Sequence, residues 1–316
     1  MRILITGGRG YLGGRLGQYL VNNSENTILL GTRSHIESVD WLPEAKIVFT
    51  SWYSSDELEK ICSNVDLVIH ASGMNAIDCS KNPKFAYEVN GLATERLLQS
   101  SINQNVGRFI YISSAHVYDS QLTGKINEKS PIKNLHPYAT SHKIGEDSVL
   151  LAHSKGEIEG VVVRLSNSFG APTNLNTNCW QLITNDLCKQ GVKHGSMTIN
   201  NSEMQKRDFV SISNVCRAIK HLAYLPKSYL DNGLFNLGGE WSPTIQEMAE
   251  ILSDRFHLLL GTKINVNIPN LNESFKPSGL NYDISKIKAT NFKLLNDRNR
   301  ECDDLIRFCN ENFGGY

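Results

Sequence analysis

The first sixteen residues, MRILITGGRGYLGGRL, constrain the fold of this chain more than any other stretch. The run from Arg2 to Thr6 is short and apolar, as expected for a buried parallel strand. Three glycines follow at G-x-x-G-x-x-G spacing, Gly7, Gly10 and Gly13, and leucines at helical spacing come next. This order of strand, glycine turn and helix is the context that a dinucleotide-binding glycine motif requires.

The glycine spacing suits a pyrophosphate. Gly7 permits a tight turn, Gly10 lets the backbone approach the phosphates, and Gly13 lets the helix pack close to the strand. The free N–H groups at the start of the helix then face the phosphates. The predicted cofactor site therefore includes the turn and the first helical residues: Gly7, Arg9, Gly10, Tyr11, Leu12 and Gly13. A glycine-rich turn that binds nothing is the alternative interpretation.

The second predicted strand, Thr27–Leu30, lacks the acidic residue that bonds the ribose 2′-hydroxyl of NAD. It runs instead into Gly31-Thr32-Arg33-Ser34. A guanidinium at Arg33 suits a ribose 2′-phosphate, because it binds phosphate with two parallel hydrogen bonds. Arg9 is placed to assist. The sequence therefore favours NADP, with NAD as a possible cofactor; a merely solvated Arg33 is the alternative.

The composition excludes several classes of function. The 316 residues carry 32 Lys+Arg and 32 Asp+Glu, so there is no electrostatic case for nucleic acid or an anionic membrane. Seven cysteines without a C-x-x-C pair argue against a disulfide framework or a metal site and favour free thiols in the cytoplasm. No apolar stretch approaches bilayer length, so no membrane insertion is expected.

Strands and helices alternate along the chain. Further apolar runs predict strands at Lys46–Phe49, Asp66–His70, Arg108–Ser113 and Val161–Leu165, and helical patterns stand between most of them. This alternation predicts an α/β protein with a Rossmann-type, doubly wound parallel sheet.

Small residues follow the predicted strand Asp66–His70. Ala71, Ser72 and Gly73 would let a cofactor lie across the carboxyl end of the strand, where ligands of open α/β sheets bind. The next predicted helix spans Lys84 to Gln99 and carries Asn90 on its apolar face. Asn90 is either a satisfied buried amide or a residue that supports the site from behind.

Several segments, in order, resemble the extended short-chain dehydrogenase/reductase family of NAD(P)-dependent nucleotide-sugar epimerases, dehydratases and reductases. They are TGGRGYLG, DLVIHASG, YEVNGLATERLL, RFIYISSAHVY, PYATSHK, VVVRLSNSFGAP, KRDFVSISNV and FNLGG. The resemblance covers nearly the whole chain, and its specificity lies in the order and spacing of the motifs. It implies a dinucleotide-binding domain at 1–165, to which 208–239 returns, and a smaller C-terminal substrate-binding lobe at 166–207 and 240–316.

The resemblance also implies catalytic residues. Ser114 matches the family's Ser, and Tyr138 matches the Tyr that exchanges a proton with the substrate oxygen. The family places a Lys four residues after that Tyr, but His142 stands there and the lysine is Lys143, one residue later. In a regular helix, position i+4 lies roughly 40° from the Tyr and position i+5 roughly 140° away.

Three hypotheses follow from this departure. His142 performs the work of the lysine, bonding the nicotinamide ribose and, if protonated, favouring tyrosinate. Alternatively, a π-bulge in the helix brings Lys143 round to the cofactor. In the third hypothesis the site is degenerate and binds without turnover.

On the substrate side, the resemblance places Asn167 under the substrate diphosphate and Arg207 within reach of it; an Arg207–Asp208 surface pair is the alternative. Ser114 fixes the reacting oxygen, and His116 is a further possible substrate contact. Ala115 and His116 stand where a dehydratase would carry an Asp-Glu pair, which disfavours dehydration.

The predicted function is reduction of a 4-keto nucleotide sugar, in a setting such as polysaccharide biosynthesis. The alternatives are an epimerase that recycles a bound cofactor and a protein that binds cofactor or nucleotide sugar without catalysis. The resemblance further implies a homodimer through a four-helix contact around 84–99 and 138–151.

Overall fold

The computed structural model describes residues 1–22, 25–199, 205–269 and 279–314. Seven parallel strands form its central sheet, in the spatial order β11-β7-β5-β4-β1-β2-β3. Their bounds are β1 Arg2–Thr6, β2 Thr27–Thr32, β3 Lys46–Phe49, β4 Leu67–His70, β5 Arg108–Ser114, β7 Glu159–Leu165 and β11 Leu234–Leu237. The predicted α/β class and doubly wound sheet are confirmed, because the chain runs outward from β1 in both directions.

Alternate residues of each strand pack into two layers. Ile3 and Ile5 of β1 face one apolar cluster, and Leu4 between them faces the other. The first layer contains α1 (Tyr11–Val21) and α8 (Ile212–Tyr224). The second contains α2 (Ser55–Cys62), α5 (Ala93–Asn103) and α6 (Pro137–Ser154). Both faces of the sheet are thus buried, which explains the continuous apolar runs in the sequence.

A third apolar cluster lies outside the sheet layers, in the C-terminal part of the chain. It joins α7 (Ile183–His194), α9 (Ile245–Leu260) and α11 (Arg298–Phe313). The remaining elements are short: α3 Ala76–Lys81, α4 Pro83–Ala86, α10 Ser285–Lys288, and the two-stranded pairs β8 Asn167–Phe169 with β10 Phe209–Ser211, β9 Ser196–Thr198 with β12 Asn265–Asn267, and β6 Gly124–Ile126 with β13 Leu280–Tyr282. This third cluster is where the sequence places the substrate lobe, although the exact domain boundaries stay a prediction and 200–204, 270–278 and 315–316 lie outside the described residues.

The long helix predicted at Lys84–Gln99 is not a regular α-helix. The structure has α4, then a π-helical turn at Tyr87–Leu92, then α5. The turn contains Asn90, which is buried, and it packs against α6. Single π-turns within helices occur frequently at functional sites.

Candidate active site

The glycine turn closes tightly on two neighbouring segments. Gly7 has φ +66°, and a Cβ there would stand 2.9 Å from the carbonyl oxygen of Ala71 and 3.0 Å from Cα of Ser72. A Cβ on Gly13 would overlap the carbonyl oxygen of Gly7, and the N–H of Gly10 donates to that oxygen at 2.8 Å. The turn therefore needs glycine at these positions, and it lies against the 71–73 segment.

The start of α1 is free to bind an anion. Gly10 is its N-cap, no side chain caps the helix, and its first turn contains no acidic residue. The first N–H groups of a helix have no acceptor within the helix, so here they remain available to phosphate oxygens. The residues present therefore fit a dinucleotide pyrophosphate. Leu12 is half-buried beside this turn, whereas the phenol of Tyr11 points to the carbonyl oxygen of Gly170, 3.1 Å away.

The two arginines assigned to the cofactor are exposed. Arg9 lies in the glycine turn and Arg33 directly follows β2. Neither guanidinium makes a hydrogen bond or ion pair with a described residue. Both are thus free to meet a ligand, but the structure does not bring them to a defined phosphate position.

Substitution of Gly13 by Ala tests the tight packing of the turn. Ala in a helix is normally about 1 kcal/mol more favourable than Gly. Because a Cβ at this position overlaps the Gly7 carbonyl, we expect a net loss of about 1–3 kcal/mol of unfolding free energy and weaker dinucleotide binding. Urea denaturation and calorimetry measure the two effects. Gly279→Ala is the control, because no described atom lies within 4 Å of a Cβ there; equal losses in both variants would contradict the close-packing argument.

Ser114 and Tyr138 meet at the carboxyl edge of the sheet. Ser114 is the last residue of β5, and Tyr138 lies in the first turn of α6. Burial raises the pKa of the Tyr138 phenol, and a hydrogen bond from the Ser114 hydroxyl opposes that shift. Ser114 Oγ also accepts the backbone N–H of His116 at 3.2 Å. The predicted pair is therefore assembled, with a protonated phenol as the resting state.

His142 lies directly beside Tyr138. Their ring centroids are 4.5 Å apart in an edge-to-face arrangement. The ring is buried, its Nδ1 lies 2.7 Å from the Tyr111 hydroxyl, and its Cε1 faces Gly73. Burial lowers the pKa of His142 to about 4, so the ring is uncharged near neutral pH. The hypothesis of a protonated His142 that favours tyrosinate is corrected accordingly: the ring stands at the lysine's place but carries no charge.

Lys143 lies away from the site. Residues Pro137–Ser154 form an α-helix, so the π-bulge proposed to bring Lys143 round is not present. The Lys143 ammonium pairs with Asp147 one turn further along the same helix. The structure therefore does not bring Lys143 to Tyr138, and its assignment to the cofactor is corrected. The π-turn lies instead in the neighbouring segment, at Tyr87–Leu92.

The substrate-side residues form a second group. The Asn167 side chain donates to the carbonyl oxygen of Asp208 at 3.0 Å, and the Arg207 guanidinium donates to Oε1 of Gln205 at 2.9 Å. Burial lowers the pKa of His116, with a further contribution from the nearby charge of Arg207. The nearby Asn167 side chain opposes this shift. His116, Asn167 and Arg207 thus converge.

Arg207 does not form the alternative surface pair with Asp208. The Asp208 carboxylate is buried and accepts hydrogen bonds from the Ser166 hydroxyl and from the backbone N–H groups of Gly239 and Trp241. Burial raises the pKa of Asp208 to about 6. Asp208 therefore braces the loop after β11, and the Arg207 guanidinium bonds Gln205 instead.

Several supporting residues were missed or left open by sequence reasoning. The buried Glu146 carboxylate accepts one hydrogen bond from the Ser113 hydroxyl, at 2.6 Å, and two from the Arg164 guanidinium, at 2.9 and 2.6 Å. Of the two alternatives for Asn90, the structure shows a buried amide whose hydrogen bonds are satisfied. Its oxygen accepts the N–H of Met74 at 2.7 Å and its nitrogen donates to Ser141 at 3.0 Å, so it also borders the site. The sequence signal that could have identified Glu146 and Ser113 is their spacing. Positions 138, 142 and 146 share one face of a helix, and positions 111 and 113 share one face of a strand.

The family model described as NAD dependent epimerase/dehydratase matches residues 3–238. The chain is 26% identical over 253 residues to a putative UDP-glucose 4-epimerase of Methanocaldococcus jannaschii, covering 79% of this chain and 81% of that one. It is 24% identical over 301 residues to an uncharacterized UDP-glucose epimerase of Bacillus subtilis, with 91% of each chain covered.

Solved structures have the same fold. UDP-glucuronic acid 4-epimerase from Bacillus cereus, in complex with UDP-glucuronic acid and NAD, superposes with TM-score 0.80 at 20% identity, covering 98% of this chain and 99% of that one. UDP-glucose 4-epimerase from Thermus thermophilus, in complex with NAD, gives TM-score 0.81 at 16% identity, with 99% and 100% covered. Motif order, site geometry and the family match together establish that this chain belongs to the NAD-dependent epimerase/dehydratase family, the nucleotide-sugar branch of the extended short-chain dehydrogenases/reductases.

Proposed function

We propose that this enzyme is an NAD-dependent 4-epimerase of a nucleotide-activated sugar. The observation that carries the proposal is the meeting of Ser114, Tyr138 and His142 at the carboxyl edge of the sheet, beside a glycine turn that fits a pyrophosphate. The relatives and structural neighbours named as 4-epimerases favour this reaction over the 4-keto reduction that the sequence ranked first.

Each residue has a defined part in the proposed reaction. A bound nicotinamide supplies a hydride acceptor that later returns the hydride. The ionised form of Tyr138 takes the proton from the C4 hydroxyl of the sugar as the C4 hydride leaves, and it gives the proton back when the hydride returns to the opposite face of the sugar. The Ser114 hydroxyl holds the same oxygen, and His142 is placed to bond the nicotinamide ribose. His116, Asn167 and Arg207 are the proposed contacts of the substrate diphosphate.

We take NAD as the cofactor, in place of the NADP that Arg33 suggested. Two of the neighbouring structures hold NAD, and a recycled cofactor needs no link to the NADPH pool. The test is to denature the purified protein and chromatograph the released nucleotide. NAD supports the proposal, whereas NADP would restore the interpretation of Arg33 as a 2′-phosphate ligand.

One feature of the site favours a second candidate function. Burial lowers the pKa of His142 to about 4, so an uncharged ring stands where the family resemblance expects a cation. A protein that binds cofactor and nucleotide sugar without turnover would tolerate this loss. Incubation with UDP- and dTDP-sugars, followed by chromatographic separation of C4 epimers, distinguishes the two functions: binding without epimerisation supports the second.

The proposed assembly is a cytoplasmic homodimer. Large apolar side chains are exposed along the π-turn and α6: Tyr87, Leu92, Ile144 and Leu151. They suit the four-helix contact that the sequence suggests, and light scattering in solution tests it.

The seven cysteines are buried free thiols, which suits a reducing compartment. Among the described residues, no helix has the length and apolarity to span a bilayer, and no three His, Cys, Asp or Glu side chains are grouped as metal ligands.

A further inference from the structure

The His142 ring contacts a tyrosine on a strand of the central sheet. Tyr111 lies in β5, is fully buried, and places its hydroxyl 2.7 Å from His142 Nδ1. The same hydroxyl lies 3.4 Å from the carbonyl oxygen of Asn90. A phenol has one proton to donate, so the choice between these two acceptors decides which nitrogen of His142 carries hydrogen.

A chain of buried hydrogen bonds occupies the Asn90 carbonyl. The Thr94 hydroxyl donates to this oxygen at 2.8 Å. Having given its only proton, Thr94 Oγ1 accepts from His70 Nε2 at 2.9 Å. The other nitrogen of the neutral His70 ring, Nδ1, then accepts from the Thr6 hydroxyl at 2.6 Å. Every proton in this chain is thus directed from the end of β1 towards the π-turn.

The phenol proton of Tyr111 therefore goes to His142. The Asn90 oxygen already has a close donor in Thr94, whereas His142 Nδ1 has no other described partner and lies 0.7 Å nearer to the phenol (3.4 against 2.7 Å). A neutral ring that accepts at Nδ1 carries its hydrogen on Nε2. No described residue takes that Nε2–H, and the adjoining Cε1 lies 3.8 Å from the Cβ position of the exposed Gly73.

We propose that Tyr111 is a positioning residue that fixes His142 as a neutral Nε2–H donor towards the nicotinamide ribose of the cofactor. The inference rests on the proposed function for the identity of the ligand. His142 then performs half of the work assigned to the family's lysine: it supplies the hydrogen bond to the ribose but no positive charge beside Tyr138.

The first test reads the tautomer in the cofactor-free protein. Nitrogen-15 NMR of histidine-labelled protein at pH 7 distinguishes a protonated from an unprotonated ring nitrogen. We expect the His142 signals, assigned by their loss in His142→Gln, to show hydrogen on Nε2 and an unprotonated Nδ1. Hydrogen on Nδ1, or on both nitrogens, would overturn the proposal whether or not the protein turns over a sugar.

The second test measures NAD binding by calorimetry. Tyr111→Phe removes the donor, so we expect a mixed tautomer of His142 and an affinity for NAD reduced about 3- to 10-fold, the range of one hydrogen bond. Tyr118→Phe is the matched control, because it removes another buried hydroxyl, bonded to Asn236 at 2.7 Å, that does not contact His142. Unchanged affinity in Tyr111→Phe, or an equal loss in Tyr118→Phe, would overturn the positioning role. Absence of epimerisation with the expected tautomer and NAD affinity would count against the proposed function alone.

Discussion

Replacing Tyr138 by Phe is expected to reduce epimerisation by about 10²–10⁴-fold, the usual contribution of a positioned proton-transfer group. Among Ser114, Tyr138 and His142, only Tyr138 can both take the proton of the C4 hydroxyl, as the phenolate, and return it, as the phenol. Ser114 is held as its partner, and the uncharged His142 has a pKa of about 4, too low for a useful base near pH 7.

The measurement is steady-state turnover of a nucleotide sugar by the wild type and the variant. NAD affinity is measured in parallel, and it should change little, because the phenol's part lies in proton transfer. Tyr224→Phe is a matched control, since its hydroxyl bonds Asn26 on the exposed surface. A Tyr138→Phe variant that keeps a tenth or more of the wild-type rate would remove Tyr138 from the chemistry.

Replacing His142 by Lys is expected to move the acidic limb of the pH–rate profile to lower pH by about 1–3 units. The active form needs ionised Tyr138, and burial raises the pKa of that phenol in the wild type. A nearby cation favours the ionised form of Tyr138 and so lowers the pKa of the phenol. The acidic limb of kcat/KM reports this ionisation, and it therefore moves to lower pH.

His142→Gln is the control for this experiment. A glutamine side chain also donates a hydrogen bond and is also uncharged, so its acidic limb should coincide with that of the wild type. If the Gln variant instead shifts the limb to higher pH, the wild-type histidine carries positive charge and the account of a neutral ring is wrong.

The sequence predicted the frame of the site because local rules govern it. A glycine turn between a strand and a helix permits few conformations, and Gly7 adopts the tight turn that was expected, with φ +66°. Likewise, Ser114 at the end of one strand and Tyr138 at the start of a helix meet because parallel strands end at a common edge. The order of the motifs was sufficient for the α/β class and for the family.

The sequence could not establish what happens to charges and helical register in the interior. Helical periodicity placed His142 beside Tyr138, but the neutrality of its ring follows from burial, and its buried hydrogen-bond partner is the distant Tyr111. Lys143 became a candidate only through a possible π-bulge, and the π-turn lies at Tyr87–Leu92 instead. Both outcomes depend on packing between segments far apart in the chain, which spacing alone does not encode.

The preference for NADP rested on local sequence signals alone. A missing acid after β2 and an arginine in its place are local signals, but Arg33 is exposed and has no defined contact among the described residues. An unpaired surface guanidinium is weak evidence for a 2′-phosphate, since long cationic side chains are mostly solvated.

The most direct test of the account is the fate of a deuterium atom at C4 of a nucleotide hexose, with purified protein and no added cofactor. The account predicts that the C4 epimer forms, that it retains the deuterium at C4, and that NAD stays bound, because the same hydride leaves and returns. Absence of product without NADPH, or loss of the label to the cofactor pool, would contradict a recycling epimerase.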